Sequence, residues 1–358
     1  MSFDATHPID LPELPAAKLD HNRFNKLLLQ ARTEIAELKG YTLALPNPML
    51  LLSPIIIREA IASSEVENIH TTAAEVLQEQ LFSENEQKDP NREVLHYREA
   101  LLRGNEELKK IPVSSRLIKL ICKKLLPEGD GNFRRNQNKI INDQTGETLF
   151  TPPPANEINR LMSNWEKYVN DTGESEDPLI KCIISHYQFE AIHPFNNGNG
   201  RTGRILMVLY LVQTDLLHIP NLFISGYINR HKSDYYNLLQ NISKRGNWDE
   251  FIEFMLVGFY EQAKETTKTF FKVKTLFDRV KKEISEVLPD IYSAELVEAI
   301  FNNPVISPLK LAEALKKHRT TTSRYLHKLS DNGLLVDAKV GRYHLFANLP
   351  LVEILKGN

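Results

Sequence analysis

The sequence predicts a mostly α protein with one short β-hairpin and a C-terminal winged helix-turn-helix. Three observations predict it. Apolar residues recur at three- and four-residue spacing along most of the chain. β-branched residues crowd around a single polar turn. The final segment reads helix, turn, helix and alternating wing.

The elements follow in order. Phe24, Leu27, Leu28, Ala31, Ile35 and Leu38 mark the buried stripe of a first helix. Pro46 and Pro48 break the chain after it. Pro54 suits the first turn of a new helix, predicted over 55–67. Further helices are predicted over 92–108, 115–126, 155–170, 178–192, 203–216, 232–243 and 249–288, the last long enough to be two. Asp143-Gln144-Thr145-Gly146 turns a hairpin over 140–151, which Pro152-Pro153-Pro154 stops. A new module begins near Asp290. Ser307-Pro308 caps a helix running to Lys317, residues 320–332 form a second that Gly333 stops, and 334–346 alternate like a wing.

With 358 residues the chain exceeds one typical core and fits two or three domains, divided here as 1–110, 111–288 and 289–358. A composition 42% hydrophobic and 25% charged is that of a soluble globular protein. The net charge of −2 excludes polyanion binding by the molecule as a whole, so a nucleic-acid role needs a local basic patch. Cys122 and Cys182 lie in separate apolar helical stretches, without metal-type spacing, and read as buried free thiols. Residues 1–15 carry Asp4, Asp10 and Glu13 and no apolar core, unlike a signal peptide. No apolar run approaches the length of a membrane span, so the expected address is cytoplasmic, with no membrane partner.

The chemistry concentrates in His193-Pro194-Phe195-Asn196-Asn197-Gly198-Asn199-Gly200-Arg201-Thr202-Gly203-Arg204. Its glycines permit positive φ and close backbone approach, and an amphipathic helix follows at once. Such a turn presents N–H groups to an anion. Arg201 and Arg204 lie three apart and aim from one side of the first turn. Gly198-x-Gly200-x-x-Gly203 matches a dinucleotide fingerprint, but the preceding stretch reads as helix where that fingerprint needs a strand. A P-loop would need Lys-Ser/Thr where Arg204-Ile205 stand. A phosphate cradle beside a histidine base describes a phosphoryl or nucleotidyl transferase.

The loop resembles the core motif of the Fic family, H-P-F-x-[D/E]-G-N-G-R-x-x-R, with eleven of twelve positions agreeing when the three free ones are counted. Gln188-Phe189-Glu190-Ala191-Ile192, Gly131-Asn132-Phe133-Arg134 and Tyr97-Arg98-Glu99-Ala100 add to the resemblance, which spans about 48–262. It implies a Fic helical core and a protein adenylyltransferase that moves AMP from ATP to Tyr, Thr or Ser hydroxyls of a protein, including itself. His193 is then the general base and Phe195 the loop's anchor. Gly198, Asn199 and Gly200 form the anion hole, Arg201 meets the β-phosphate and Arg204 the γ-phosphate. Thr151, Thr202, Gly203, Tyr235 and Tyr236 complete the expected ATP set, and the hairpin is the family's flap, registering a target segment by strand pairing. Asn197 stands where the family carries an acid for Mg²⁺. Its carboxamide offers a neutral oxygen only, so the phosphates are expected to hold most of the metal.

Ser63-x-x-x-Glu67-Asn68 resembles the family's inhibitory motif and implies an inhibitory helix at about 55–68. Glu67 would pair with Arg204 and displace the γ-phosphate, leaving the α-phosphate misaligned. Between 307 and 346, Lys310, Lys316, Lys317, Arg319, Arg324, Lys328, Lys339 and Arg342 outnumber Glu313, Asp331 and Asp337. That surface fits DNA, or docking and dimerisation. The alternatives to self-inhibited AMP transfer are AMP removal, another donor, and a nucleotide-sensing DNA-binding regulator. A homodimer is implied by the resemblance only.

Overall fold

The described residues of the computed structural model, 3–15, 19–44, 47–142, 145–173 and 176–357, form fifteen α-helices and five short strands. In chain order these are α1 (Asn25–Leu43), α2 (Pro48–Val66), α3 (Ala73–Glu79), α4 (Asp89–Leu108) and α5 (Ser115–Leu125), then β1 (Ile140–Ile141) and β2 (Thr148–Phe150). Next come α6 (Ile158–Asn170), α7 (Pro178–Ile192), α8 (Asn199–Gln213), α9 (Ile224–Arg230), α10 (Lys232–Arg245) and α11 (Asp249–Val287). The chain closes with α12 (Ala294–Asn302), β3 (Val305–Ile306), α13 (Pro308–Leu315), α14 (Arg319–Asp331), β4 (Val336–Val340), β5 (Tyr343–Ala347) and α15 (Leu349–Lys356). The protein is thus mostly helical, as predicted. No helix among the described residues is long and apolar enough to cross a membrane. Both cysteines are free and buried, and burial pushes the Cys122 thiol up to about 11.

Contacts divide the chain into two compact units, 1–40 with 96–264 and 41–95 with 265–358. The first is built around α7, which packs on α6 and α8. From Leu179 to Ile192 every residue of α7 except Glu190 is buried, the pattern of a helix at the centre of a core. A Cβ on Gly104 would come within 2.6 Å of the Leu209 Cδ1, so the missing side chain lets the end of α4 lie against α8. The hairpin pairs Ile140 with Phe150 and Ile141 with Thr148, antiparallel.

In the second unit α2 packs against α3, α12 and α15, and α12 against α13. The helix pair α13 and α14 is followed by β4 and β5, with β3 on the far side of β5 in the order β3-β5-β4. Ser307 caps α13 by accepting from the Lys310 N–H at 3.2 Å. This arrangement is compatible with the winged helix-turn-helix read from the sequence.

Several boundaries differ from the sequence reading, three of them with consequences for the fold. α2 starts at Pro48 rather than after Pro54. Pro54 leaves the Leu50 carbonyl without its helical donor, yet Ile55, Ile56 and Ile57 are each buried to 2% exposure or less and carry the helix through. α8 starts at Asn199, not Gly203, because Gly198 in the left-handed region already caps it. Residues 249–287 form one helix, not two. The short elements α3, α9, α12, β3 and α15 were not foreseen. The expected break at Pro46 and turn residues Asp143 and Gln144 lie outside the described residues.

The end of α2 has a specific lock. Asn68 adopts φ 62°, its N–H donates to the Glu65 carbonyl at 3.0 Å, and the Ile69 N–H reaches back to the Ser64 carbonyl at 3.0 Å. This closing bond spans six residues and requires a left-handed residue after the cap, Glu67. Glycine and asparagine tolerate that conformation, which gives a physical reason for either residue after the motif's glutamate. Asn68→Gly should leave the melting temperature nearly unchanged, whereas Asn68→Val should cost about 1 kcal/mol. Equal melting of the two variants would contradict this lock.

Candidate active site

The glycine-rich loop joins α7 to α8. α7 begins on Asp177, whose carboxylate accepts from the Leu179 N–H at 2.8 Å. It ends at His193, which turns left-handed at φ 50° while its N–H donates to the Phe189 carbonyl at 3.0 Å. A left-handed residue with a side chain is unfavourable by itself, so its surroundings must hold it. Arg134 does this. Its guanidinium, at 3% exposure, donates to the carbonyls of His193 at 2.9 Å, Pro153 at 2.6 Å and Asn136 at 3.0 Å. Its backbone N–H donates to the Pro194 carbonyl at 2.8 Å. Burial lowers the Arg134 pKa from the ordinary arginine value, and the carbonyl dipoles stand in for lost water.

A second clasp closes the loop from within. The Asn199 Oδ1 accepts from the Phe195 N–H and its Nδ2 donates to the Phe195 carbonyl, both at 2.8 Å. Phe195 is buried, its ring centroid 5.4 Å from that of Phe133. The Asn199 side chain is therefore committed to the loop, and its backbone N–H is what it can offer an anion. Gly198 has φ 78°, and a Cβ there would meet the Leu126 Cδ1 at 2.9 Å. Both its conformation and its surroundings require glycine.

The Thr202 N–H to the Gly198 carbonyl, 2.9 Å, is the first helical bond of α8. The N–H groups of Asn199 and Gly200 precede it, and no side chain caps this fifteen-residue helix. Partial positive charge thus gathers where Arg201 and Arg204 also stand, at 6% and 1% exposure. Thr202 is fully buried. A Cβ on Gly203 would come within 2.3 Å of the Glu190 Oε1, so this glycine lets the Glu190 carboxylate lie against α8.

His193 carries its own tautomeric instruction. Its Nδ1 lies 3.3 Å from the Glu190 carbonyl. A carbonyl can only accept, so the neutral ring keeps its proton on Nδ1 and its lone pair on Nε2. That is the form of a general base.

The other expected residues fall in different places. Tyr235 is buried to 1% exposure, with its hydroxyl 2.7 Å from the His186 Nε2. Tyr236 is 43% exposed and packs edge-on against Tyr235. Thr151 is buried, and its hydroxyl donates to the Ala5 carbonyl at 2.7 Å. Asn197 is exposed. Among the described residues there is no group of three or more His, Cys, Asp or Glu side chains that could hold a metal ion. Ser63, Glu67 and Asn68 belong to the second unit, at the end of α2, with Ser63 buried and Glu67 exposed. The sequence reading gave no role to Arg134, to the Asn199 carboxamide or to His186. The first stood in the quoted Gly131-Asn132-Phe133-Arg134 run, which was its only signal.

Two measurements test this geometry. Asn199→Ala leaves the buried Phe195 amide unpaired and should cost about 2 kcal/mol in denaturant unfolding, with ATP binding weakened alongside. Unchanged stability would show that the clasp does not hold the loop. The second concerns pH. Burial first, and the nearby Arg204 charge second, hold the His186 imidazole down at about 3, against an ordinary 6.5. The unfolded ring takes a proton below 6.5 and the folded ring does not, so acid favours unfolding. The stabilisation is complete above 6.5 and falls by about 1.4 kcal/mol per pH unit below it. His186→Gln should flatten that part of the stability profile; an unchanged slope would contradict a neutral buried ring.

Comparison with known proteins meets the same residues. The Fic/DOC family N-terminal model matches 25–106, and the Fic/DOC family model 112–211. The model described as the C-terminal domain of SoFic-like protein adenylyltransferases matches 276–351. The chain is 30% identical over 130 residues to the protein adenylyltransferase Fic of Drosophila ananassae, covering 36% of this chain and 23% of that protein. It is 26% identical over 249 residues to a probable protein adenylyltransferase of Aquifex aeolicus, covering 61% of this chain and 72% of that one. The crystal structure of a Fic family protein from Desulfovibrio desulfuricans shares the fold with a TM-score of 0.57 at 22% identity, over 93% of this chain and 97% of that one. These matches, one of which includes the loop 193–204, show that the chain belongs to the Fic/DOC family.

Proposed function

We propose that the chain is a self-inhibited protein adenylyltransferase, moving AMP from ATP to Tyr, Thr or Ser hydroxyls of a protein, including itself. The observation that carries this reading is the His193 ring: its Nδ1 bonds the Glu190 carbonyl, which leaves the basic lone pair of the neutral ring on Nε2, in the loop that leads into the N-terminus of α8. The names of the relatives support it.

In the proposed step ATP lays its phosphates across the first turn of α8. The amides of Gly198, Asn199 and Gly200 receive the α- and β-phosphates, Arg201 the β-phosphate and Arg204 the γ-phosphate. The target hydroxyl oxygen forms a bond to the α-phosphorus and gives its proton to the His193 Nε2. The bond from the α-phosphorus to the bridging oxygen breaks, and pyrophosphate leaves. Asn197 supplies a neutral oxygen only, so Mg²⁺ is expected to arrive with the phosphates and depend chiefly on them. Tyr236 and Thr202 remain in the proposed ATP set. Thr151, Gly203 and Tyr235 remain there as supports of the pocket wall rather than as ligands.

On this reading residues 1–110 carry the brake, 111–288 the catalytic core and 289–358 the winged helix. Glu67 is proposed to pair with Arg204 and hold ATP in an unproductive pose, with the Asn68 turn setting the direction of the glutamate. The chain would work in the reducing cytoplasm, where its two free thiols persist. A second reading, as a DNA-binding regulator that senses nucleotide, draws on Lys316, Lys317, Arg319 and Arg324, all exposed around the start of α14. Its mark is binding to duplex DNA that weakens steeply with salt. The same helix surface would otherwise serve docking or a homodimer.

Incubation with radiolabelled ATP and mass spectrometry of the product decide the matter. Glu67→Gly should raise AMP incorporation at least tenfold, and adding His193→Ala should abolish it while ATP binding stays near the parent value. Adding Asn197→Asp to Glu67→Gly should lower the Mg²⁺ concentration needed for half-maximal rate. Labelling that survives His193→Ala would remove the proposed base. Labelling unmoved by Glu67→Gly would remove the brake. An adduct absent under every condition would leave the DNA reading.

A further inference from the structure

Residues 3–14 follow no regular element, yet they are fastened at many points. The Phe3 ring stacks on Phe150 of β2 at 6.5 Å, and the Lys244 Nζ lies 5.6 Å from the centre of the Phe3 ring. Thr151 holds the segment twice: its hydroxyl donates to the Ala5 carbonyl at 2.7 Å, and its carbonyl accepts from the Ile9 N–H at 3.0 Å. The Gln188 carboxamide donates to the Pro12 carbonyl at 2.8 Å. Asn164 brackets Leu14, accepting from its N–H at 2.7 Å and donating to its carbonyl at 3.1 Å. Only Leu11 and Leu14 bury their side chains, to 4% and 6% exposure, while Asp4, Thr6, His7, Pro8, Asp10, Pro12 and Glu13 stay exposed.

The character of these bonds is informative. Thr151, Asn164 and Gln188 all engage the main chain of the segment, which every peptide shares, and two leucine seats supply the apolar anchors. That is how a groove binds an extended peptide. The segment lies at the end of β2, the hairpin strand whose other edge is already paired with β1. The strand end that holds it leads on to the candidate site. Pro153, two residues beyond Thr151, gives its carbonyl to Arg134, which bonds the His193 carbonyl as well.

Resting on the adenylyltransferase reading above, we propose that residues 3–14 are a strap that occupies, in cis, the groove meant for an extended segment of the target protein. The groove runs from Phe150 and Thr151 past Gln188 to Asn164. Its trans ligand is an extended stretch with two apolar residues placed like Leu11 and Leu14. The strap and the target compete, so the chain restrains its transfer to other proteins independently of Glu67. Because the strap is tethered, its effective concentration exceeds that of a free peptide, and a target must bring further contacts to displace it.

The test uses a fluorescent peptide with the sequence of residues 3–15 and two protein forms, the full chain and a chain shortened by residues 1–15. Anisotropy should show saturable binding to the shortened chain, at least tenfold weaker binding to the full chain, and at least fivefold loss in the shortened chain carrying Asn164→Leu. Full-length Ile9→Pro, which lacks the N–H given to Thr151, guards against misfolding of the shortened form. In the Glu67→Gly background it should raise AMP transfer to an added protein several-fold with ATP affinity unchanged, and the free peptide should reverse the gain. Equal peptide binding by both forms, or no saturable binding by either, overturns the strap. So does an Ile9→Pro chain whose transfer equals its parent's. If no form transfers AMP at all, the activity reading falls, and the peptide titration still decides whether the groove exists.

Discussion

His193 turns left-handed between two buried helices, and one buried guanidinium keeps it there. Arg134 gathers the carbonyls of His193, Pro153 and Asn136, so it fixes the end of α7, the chain leaving the hairpin and its own loop in one set of bonds. Without that set the strained turn would relax, since the left-handed region costs an ordinary side chain about 1 kcal/mol. The bond from Nδ1 to the Glu190 carbonyl then puts the lone pair of the neutral ring on Nε2.

The proposed anion site depends on the same loop. Asn199 closes it on Phe195, and Gly198 begins α8 in a conformation and a space that admit only glycine. The core beneath is tuned to the charges above. His186, near the Arg204 charge, sits neutral and is bonded to Tyr235, so it adds no positive charge of its own beside the arginine. The proposed transferase needs little more than this: a base, a row of amides and two arginines held in fixed relation, with chemistry driven by position and charge.

Much of this was legible from the residues because it is local. The glycines, the two arginines and the histidine stand within twelve consecutive positions, and glycine's freedom and arginine's fork carry their meaning anywhere. The hairpin was legible for a similar reason, with β-branched residues around a polar turn. What depended on distant partners was not. Arg134 acts 59 residues from His193. Glycines disfavour helix, so the sequence places the start of α8 at Gly203, whereas Gly198 in the left-handed region caps it at Asn199. Pro54 reads as a helix start, but the burial of Ile55, Ile56 and Ile57 outweighs one missing donor. Tyr235 read as a nucleotide neighbour, while its packing against His186 emerges only once α7 and α10 are folded together.

The second unit holds Glu67 at a turn that favours glycine or asparagine, and the N-terminal strap sits on the hairpin's neighbouring surface. On the proposed reading these are two restraints of different kinds, one on the nucleotide and one on the target. The most direct measurement of the central claim is a crystal structure of the Glu67→Gly chain with a non-hydrolysable ATP analogue. The account predicts phosphate oxygens on the amides of Asn199 and Gly200, with the α-phosphorus facing the His193 Nε2. A nucleotide bound elsewhere, or phosphates at α8 with the imidazole turned inward, would contradict it.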